Sequence, residues 1–135
     1  MKREDLCREW EQLAPAWIRD VRGDSCHARQ GLLDKPMLEA CGDVRGIRAM
    51  DSGCGEGRFC RMLSERGAKY ILGLDLCPEM IRAAMELKSD REDYQIADVE
   101  DLFFLDGGVF DLAVSYLNQC DLADFQAKIA RCFGF

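Results

Sequence analysis

The stretch from Ala49 to Phe59, AMDSGCGEGRF, leaves this chain few ways to fold. A short apolar approach carries an acid at Asp51. Glycines then stand at alternate positions, Gly53, Gly55 and Gly57, and a helical pattern follows. Alternate glycines let a backbone turn sharply and bring its N–H groups close to a ligand. A helix that starts there adds unpaired donors and a positive end. The stretch therefore reads as strand, loop and helix, with the loop at a site for a nucleotide-type cofactor.

The rest of the chain repeats that alternation. Ile47 to Ser52 reads as a thin first strand, and Arg58 to Arg66 as a helix stopped by Gly67. Tyr70 to Leu76 (YILGLDL) is a strong second strand. Pro78 opens a helix with Met80, Ile81, Ala84 and Leu87 inward, proline being favoured at a first helical position. Tyr94 to Val99 and Phe110 to Leu117 are the third and fourth strands, and a last helix starts near Leu122. Strands alternating with helices imply a parallel sheet covered on both faces, with right-handed crossovers. Ahead of this core, residues 4–21 place Leu6, Trp10, Leu13, Ala14, Trp17 and Val21 at helical spacing. Pro15 is expected to split that helix in two. A second helix runs from Leu32 to Ala40, with Gly42 as its stop. The reading is one domain over 1–135: a helical cap at 1–44 and an α/β core at 45–135.

A formal charge of −7 argues against nucleic acid as a partner. The eight cysteines form no C-x-x-C pair, so no metal site is expected. The chain opens MKREDLCREW and has no long apolar run, so no membrane contact is expected either. The cysteines read as reduced, small apolar residues of a cytoplasmic protein.

The loop lacks the dinucleotide fingerprint, since Arg58 stands where G-x-G-x-x-G needs its third glycine. An acid two residues before Gly53 repels a pyrophosphate but suits an ammonium or sulfonium group. Asp75 closes the second strand, and ligands of open parallel sheets sit at the strands' carboxyl ends. It can accept both hydroxyls of a ribose, cap the helix that starts at Pro78, or do both. Asp98 ends the third strand in the same way, placed to accept from an adenine amino group with the backbone of Val99 facing the ring. Three acids at the ends of three successive strands form a constellation. Trp10 and Trp17 read as packing, as does the thiol of Cys54, and His27 as a polar turn residue.

The series DSGCGEGRF, GLDL, IADVED and FDLAVSYLNQCDL resembles the class I S-adenosylmethionine-dependent methyltransferases, over about residues 47–133. The resemblance implies a Rossmann-like doubly wound sheet and S-adenosylmethionine as cofactor. Asp51, Gly53 and Gly55, in a loop with Cys54 and Gly57, would border the amino-acid end of the cofactor. Asp75 would take the ribose hydroxyls, and Leu76 and Met80 would pack near the adenine. Asp98 with Val99 would edge its amino group. Tyr116 would line the methyl-transfer side, and Arg29 would reach the cofactor carboxylate from the cap. Asn118, Gln119 and Asp121 follow the fourth strand, where they would bind the acceptor or cap the last helix. The implied activity is methyl transfer to a small-molecule acceptor, which no residue identifies. The NPPY-type motif of enzymes that methylate nucleic-acid amines is absent.

Two departures from the family pattern carry expectations. Ser52 replaces the usual aliphatic residue, and a buried hydroxyl without a partner costs about 1–3 kcal/mol, so Ser52 needs a hydrogen bond. The family's strand order is 3-2-1-4-5-7-6, of which this chain supplies 3-2-1-4. Its fourth strand is then an apolar edge that invites self-association. A partial methyltransferase is expected, and a non-catalytic cofactor-binding or interaction module is the alternative. A nicotinamide-dependent oxidoreductase is disfavoured by Arg58 and Asp51.

Overall fold

The computed structural model describes residues 2–23, 32–98 and 109–116. Two helices lead, α1 (Arg3–Arg22) and α2 (Asp34–Cys41). Then come β1 (Arg48–Ser52), α3 (Arg58–Glu65), β2 (Tyr70–Asp75), α4 (Pro78–Glu86), β3 (Glu92–Ile96) and β4 (Leu112–Val114). The strands form one sheet in the order β3-β2-β1-β4, with every pair parallel. This is the Rossmann-like arrangement that the alternating pattern predicts. No helix among the described residues is long and apolar enough to cross a membrane.

Strand alternation divides the core. Ala49 and Ile71 gather with Phe59 and Leu63 of α3 and Ile81 of α4, while Met50, Leu72 and Leu74 gather with Ala97 on the opposite side. Because β2 is central, its residues Ile71 to Leu74 are all buried, which is why YILGLD is a continuous apolar run. Ser52 meets the condition set by its burial. Its hydroxyl donates to the Val114 carbonyl at 3.2 Å and so ties β1 to β4.

Four expectations need correction. First, α1 is unbroken across Pro15. Pro15 and Glu11, whose carbonyl loses its helical donor, both face water, which satisfies the orphaned acceptor. Second, Leu13 and Leu87 are exposed rather than inward; Leu87 already lies past the last turn of α4. Third, the third strand starts two residues early and stops at Ile96. Its register against β2 runs from Ile71↔Glu92 to Asp75↔Ile96. Buried Glu92 is tolerated because Ser89 and the Tyr94 hydroxyl donate to its carboxylate, at 2.5 and 2.7 Å. Fourth, β4 is only three residues long, the length over which it pairs with β1. The last helix and His27 lie outside the described residues.

Candidate functional site

The backbone N–H groups of the loop between β1 and α3 hold it mainly against β2. The N–H groups of Gly53 and Cys54 both donate to the Leu74 carbonyl, at 2.7 and 2.9 Å, and that of Gly57 donates to Cys54 O at 3.1 Å. The Gly55 N–H donates to Asp75 Oδ2 at 2.9 Å. This corrects the expectation that these donors face a ligand. Closing so tight a turn against β2 uses them inside the protein, and a pyrophosphate would find few left.

The glycines have different tasks. Gly53, Gly55 and Gly57 all have positive φ, 75°, 58° and 87°. A Cβ on Gly57 would stand 2.6 Å from the Tyr94 hydroxyl oxygen, and one on Gly73 would stand 2.5 Å from Tyr94 Cδ1. The Tyr94 ring thus needs both hydrogens. Among the described residues, a Cβ on Gly55 would meet only Trp17 Nε1, at 4.0 Å.

The three acids end adjacent strands. Asp51, in β1, is buried, and the Cys60 thiol donates to its Oδ2 at 3.4 Å. Asp75 ends β2 and accepts the Cys77 N–H on Oδ1 at 2.9 Å as well as the Gly55 N–H on Oδ2. It therefore both braces the start of α4 and ties that start to the glycine loop. Asp98, two residues beyond β3, pairs with Arg3 Nε of α1 at 2.6 Å.

Other expected residues sit around this row. Leu76 is half-buried and its carbonyl accepts the Cys7 thiol at 3.6 Å. Met80 is buried with Ala14 and Cys77, against Trp10, Trp17 and Ile18. The two tryptophans meet edge to face at 5.7 Å, as packing residues. Tyr116 is buried beyond β4, edge-on to Phe59 at 5.3 Å, and its hydroxyl donates to Asp34 Oδ1 at 2.9 Å. Burial pushes the Cys54 thiol up to about 11 and that of Cys60 well above the usual range. Both are neutral at neutral pH and serve as packing, not as nucleophiles. Arg29, Val99, Asn118, Gln119 and Asp121 lie outside the described residues.

Two buried ionic clusters escaped the sequence reading. Glu56, between two loop glycines, is only 1 % exposed. Arg61 grips it with Nη2 at 2.6 and 2.7 Å, and Arg22 Nε reaches it at 3.0 Å. Arg58 pairs with Asp34, the buried acid of α2 that also receives Tyr116. The pairing of Glu56 with Arg61 was open to inspection, five residues apart across a helix start. Arg22 and Asp34 had no such signal, because the fold brings them in from 34 and 24 residues away.

Comparison with known proteins bears on this geometry. A family model described as "Methyltransferase domain" matches residues 50–134. A malonyl-[acyl-carrier protein] O-methyltransferase of Hamiltonella defensa is 37% identical over 105 residues, 73% of this chain and 39% of that protein. A ubiquinone biosynthesis O-methyltransferase of Xanthomonas oryzae pv. oryzae is 36% identical, over 67% of this chain and 38% of that protein. Among solved structures, an S-adenosylmethionine dependent methyltransferase from Mesorhizobium loti superposes with a TM-score of 0.68 at 36% identity, covering 77% of this chain and 49% of that one. The chain spans about two fifths of the length of these curated relatives.

Proposed function

Because this chain belongs to the methyltransferase-domain family, we propose that it binds S-adenosylmethionine and forms the cofactor-holding portion of an enzyme that methylates a small molecule. The observation that carries this reading is the row of acids at three adjacent strand ends, with Asp75 fastened to the glycine loop through Gly55. The donor set suits the ligand. Carboxylates take ribose hydroxyls and an amino group, and a loop whose N–H groups are spent internally suits a cofactor without phosphate.

When bound, the cofactor supplies an activated sulfonium methyl, so the protein's contribution is alignment and exclusion of water. In this reading Asp75 holds the ribose and Asp98 the adenine amino group. Gly55 and Asp51 border the amino-acid end. Tyr116 borders the methyl, its ring fixed by Asp34. The O-methyltransferase names of two relatives favour an oxygen acceptor.

Calorimetric titration with S-adenosylhomocysteine, with NADH as the control, tests the cofactor. Micromolar binding of the first alone is expected. The Asp75→Ala variant is expected to bind about 10- to 150-fold more weakly, the equivalent of about 1.5–3 kcal/mol for hydrogen bonds to a charged group. Equal affinity in the variant would refute the assignment. Radiolabelled methyl transfer to small phenols and carboxylic acids tests turnover separately; binding without turnover would leave the non-catalytic module as the better reading.

A further inference from the structure

Asp51 is an acid set inside an apolar sheet, 1% exposed. Strand alternation puts its side chain on the face of Ala49, toward α3. Its register partners are Gly73 on β2 and Val114 on β4, and neither brings a polar side-chain atom. Thiols stand near it instead. Cys60, fully buried on α3, donates to Asp51 Oδ2 at 3.4 Å. Burial, and after it the charge of Asp51, pushes up the thiols of Cys41, at the end of α2, and Cys54, in the glycine loop.

A buried carboxylate stays ionised only where hydrogen bonds offset its lost hydration. Cys60 can supply one without disturbing the core. Its side chain is small and largely apolar, so it sits between buried Phe59 and Leu63 of α3 and still offers a proton. Burial, with Cys54 and Asp51 beside it, holds its thiol well above the usual range. It therefore keeps that proton and always acts as the donor of the pair.

We propose that Cys60 is a positioning residue, whose thiol holds the Asp51 carboxylate ionised and in one orientation for the ammonium group at the amino-acid end of the cofactor. The proposal rests on the reading of Asp51 as a border of that end. Cys60 acts on the ligand only through Asp51. Its loss therefore weakens a ligand that carries the ammonium group and spares one that lacks it, whereas loss of mere packing would weaken both.

Calorimetry on the full chain, Cys60→Ala and Cys60→Ser tests this with two ligands. S-adenosylhomocysteine carries the amino-acid end; 5′-methylthioadenosine keeps the adenosine and the sulfur but lacks it. Cys60→Ala is expected to bind the first severalfold more weakly than the parent and the second equally well. Cys60→Ser, which keeps a hydroxyl donor, is expected to restore the first. Equal loss for both ligands, no loss for either, or a serine variant as weak as the alanine one would overturn the proposal. Should Cys60→Ala not fold, the serine variant still decides, because selective retention of both ligands is required of it. A second measurement uses no ligand: carbon-13 NMR titration of the Asp51 carboxyl, assigned with Asp51→Asn. Removing a donor to the charged form raises a carboxyl pKa, so Cys60→Ala should shift the Asp51 titration upward and Cys60→Ser should bring it back. The thiols of Cys41 and Cys54 are neutral in that acid range and do not contribute a step. An unmoved Asp51 titration would overturn the positioning role. Failure of the parent to bind S-adenosylhomocysteine would instead refute the cofactor reading, while the titration would still decide whether Cys60 governs the acid.

Discussion

Gly73 shows how one side chain governs the centre of the sheet. Tyr94, its register partner on β3, lies over it and reaches Gly57 at the start of α3. A methyl group on Gly73 would meet the ring at 2.5 Å and the Cys54 sulfur at 3.0 Å, between two packed elements that cannot yield cheaply. Gly73→Ala is expected to cost about 1–3 kcal/mol, the usual range for overpacking. Adding Tyr94→Leu to that variant should recover part of the loss, and urea unfolding of the single and double variants measures the coupling. Additive effects would show that Tyr94 is not the obstacle. Here the sequence reading was incomplete. Gly57 was legible as a loop glycine, but its partner is 37 residues away and Gly73 looked like any small residue in an apolar strand.

At the scale of elements, α1 carries both a local defect and a long-range anchor. Pro15→Ala restores a donor to the Glu11 carbonyl on a solvent-facing side of the helix. It is expected to stabilise the chain by about 1–3 kcal/mol, since proline in a helix interior costs up to roughly that. A higher melting temperature checks this; a lower one would mean that the proline is needed for the path of the helix. Glu56→Ala leaves Arg22 and Arg61 without their shared carboxylate. Breaking a buried pair costs about 3–5 kcal/mol, and the partial exposure of both arginines points to the lower end. A loss of less than about 1 kcal/mol in the unfolding free energy from urea titration would show that water takes over from Glu56. The amphipathic spacing of α1 was legible. What it packs against was not, since periodicity reports only that a face is buried.

Across the whole molecule, buried thiols link stability to pH. Burial raises Cys54 from 9.0 to about 11, with Cys60 higher still. A raised folded-state value means that the stabilisation is complete below the unfolded value and is lost as pH climbs toward the folded one. Stability should therefore fall between about pH 9 and pH 11, by roughly 2–3 kcal/mol for Cys54 alone. Urea unfolding at the two ends of that window measures the loss, and Cys54→Ala should reduce it. An equal loss in the variant would place the titration elsewhere.

What the linear chain determined was periodic and local. Apolar runs bounded by glycine and proline marked the alternation of strands and helices, and with it a parallel sheet. The spacing of Asp51, Asp75 and Asp98 placed three acids at adjacent strand ends, because a strand followed by a helix returns the chain to the same edge. Tertiary structure alone decided how those acids are used: Asp75 bound to Gly55, Asp98 met by Arg3, and Tyr116 held by Asp34. It also turned the loop's N–H groups inward and buried Glu56 between two arginines. The reason is physical. Backbone geometry repeats with a period that a short window reveals. A side chain's partner is whichever group the completed fold brings within hydrogen-bonding distance.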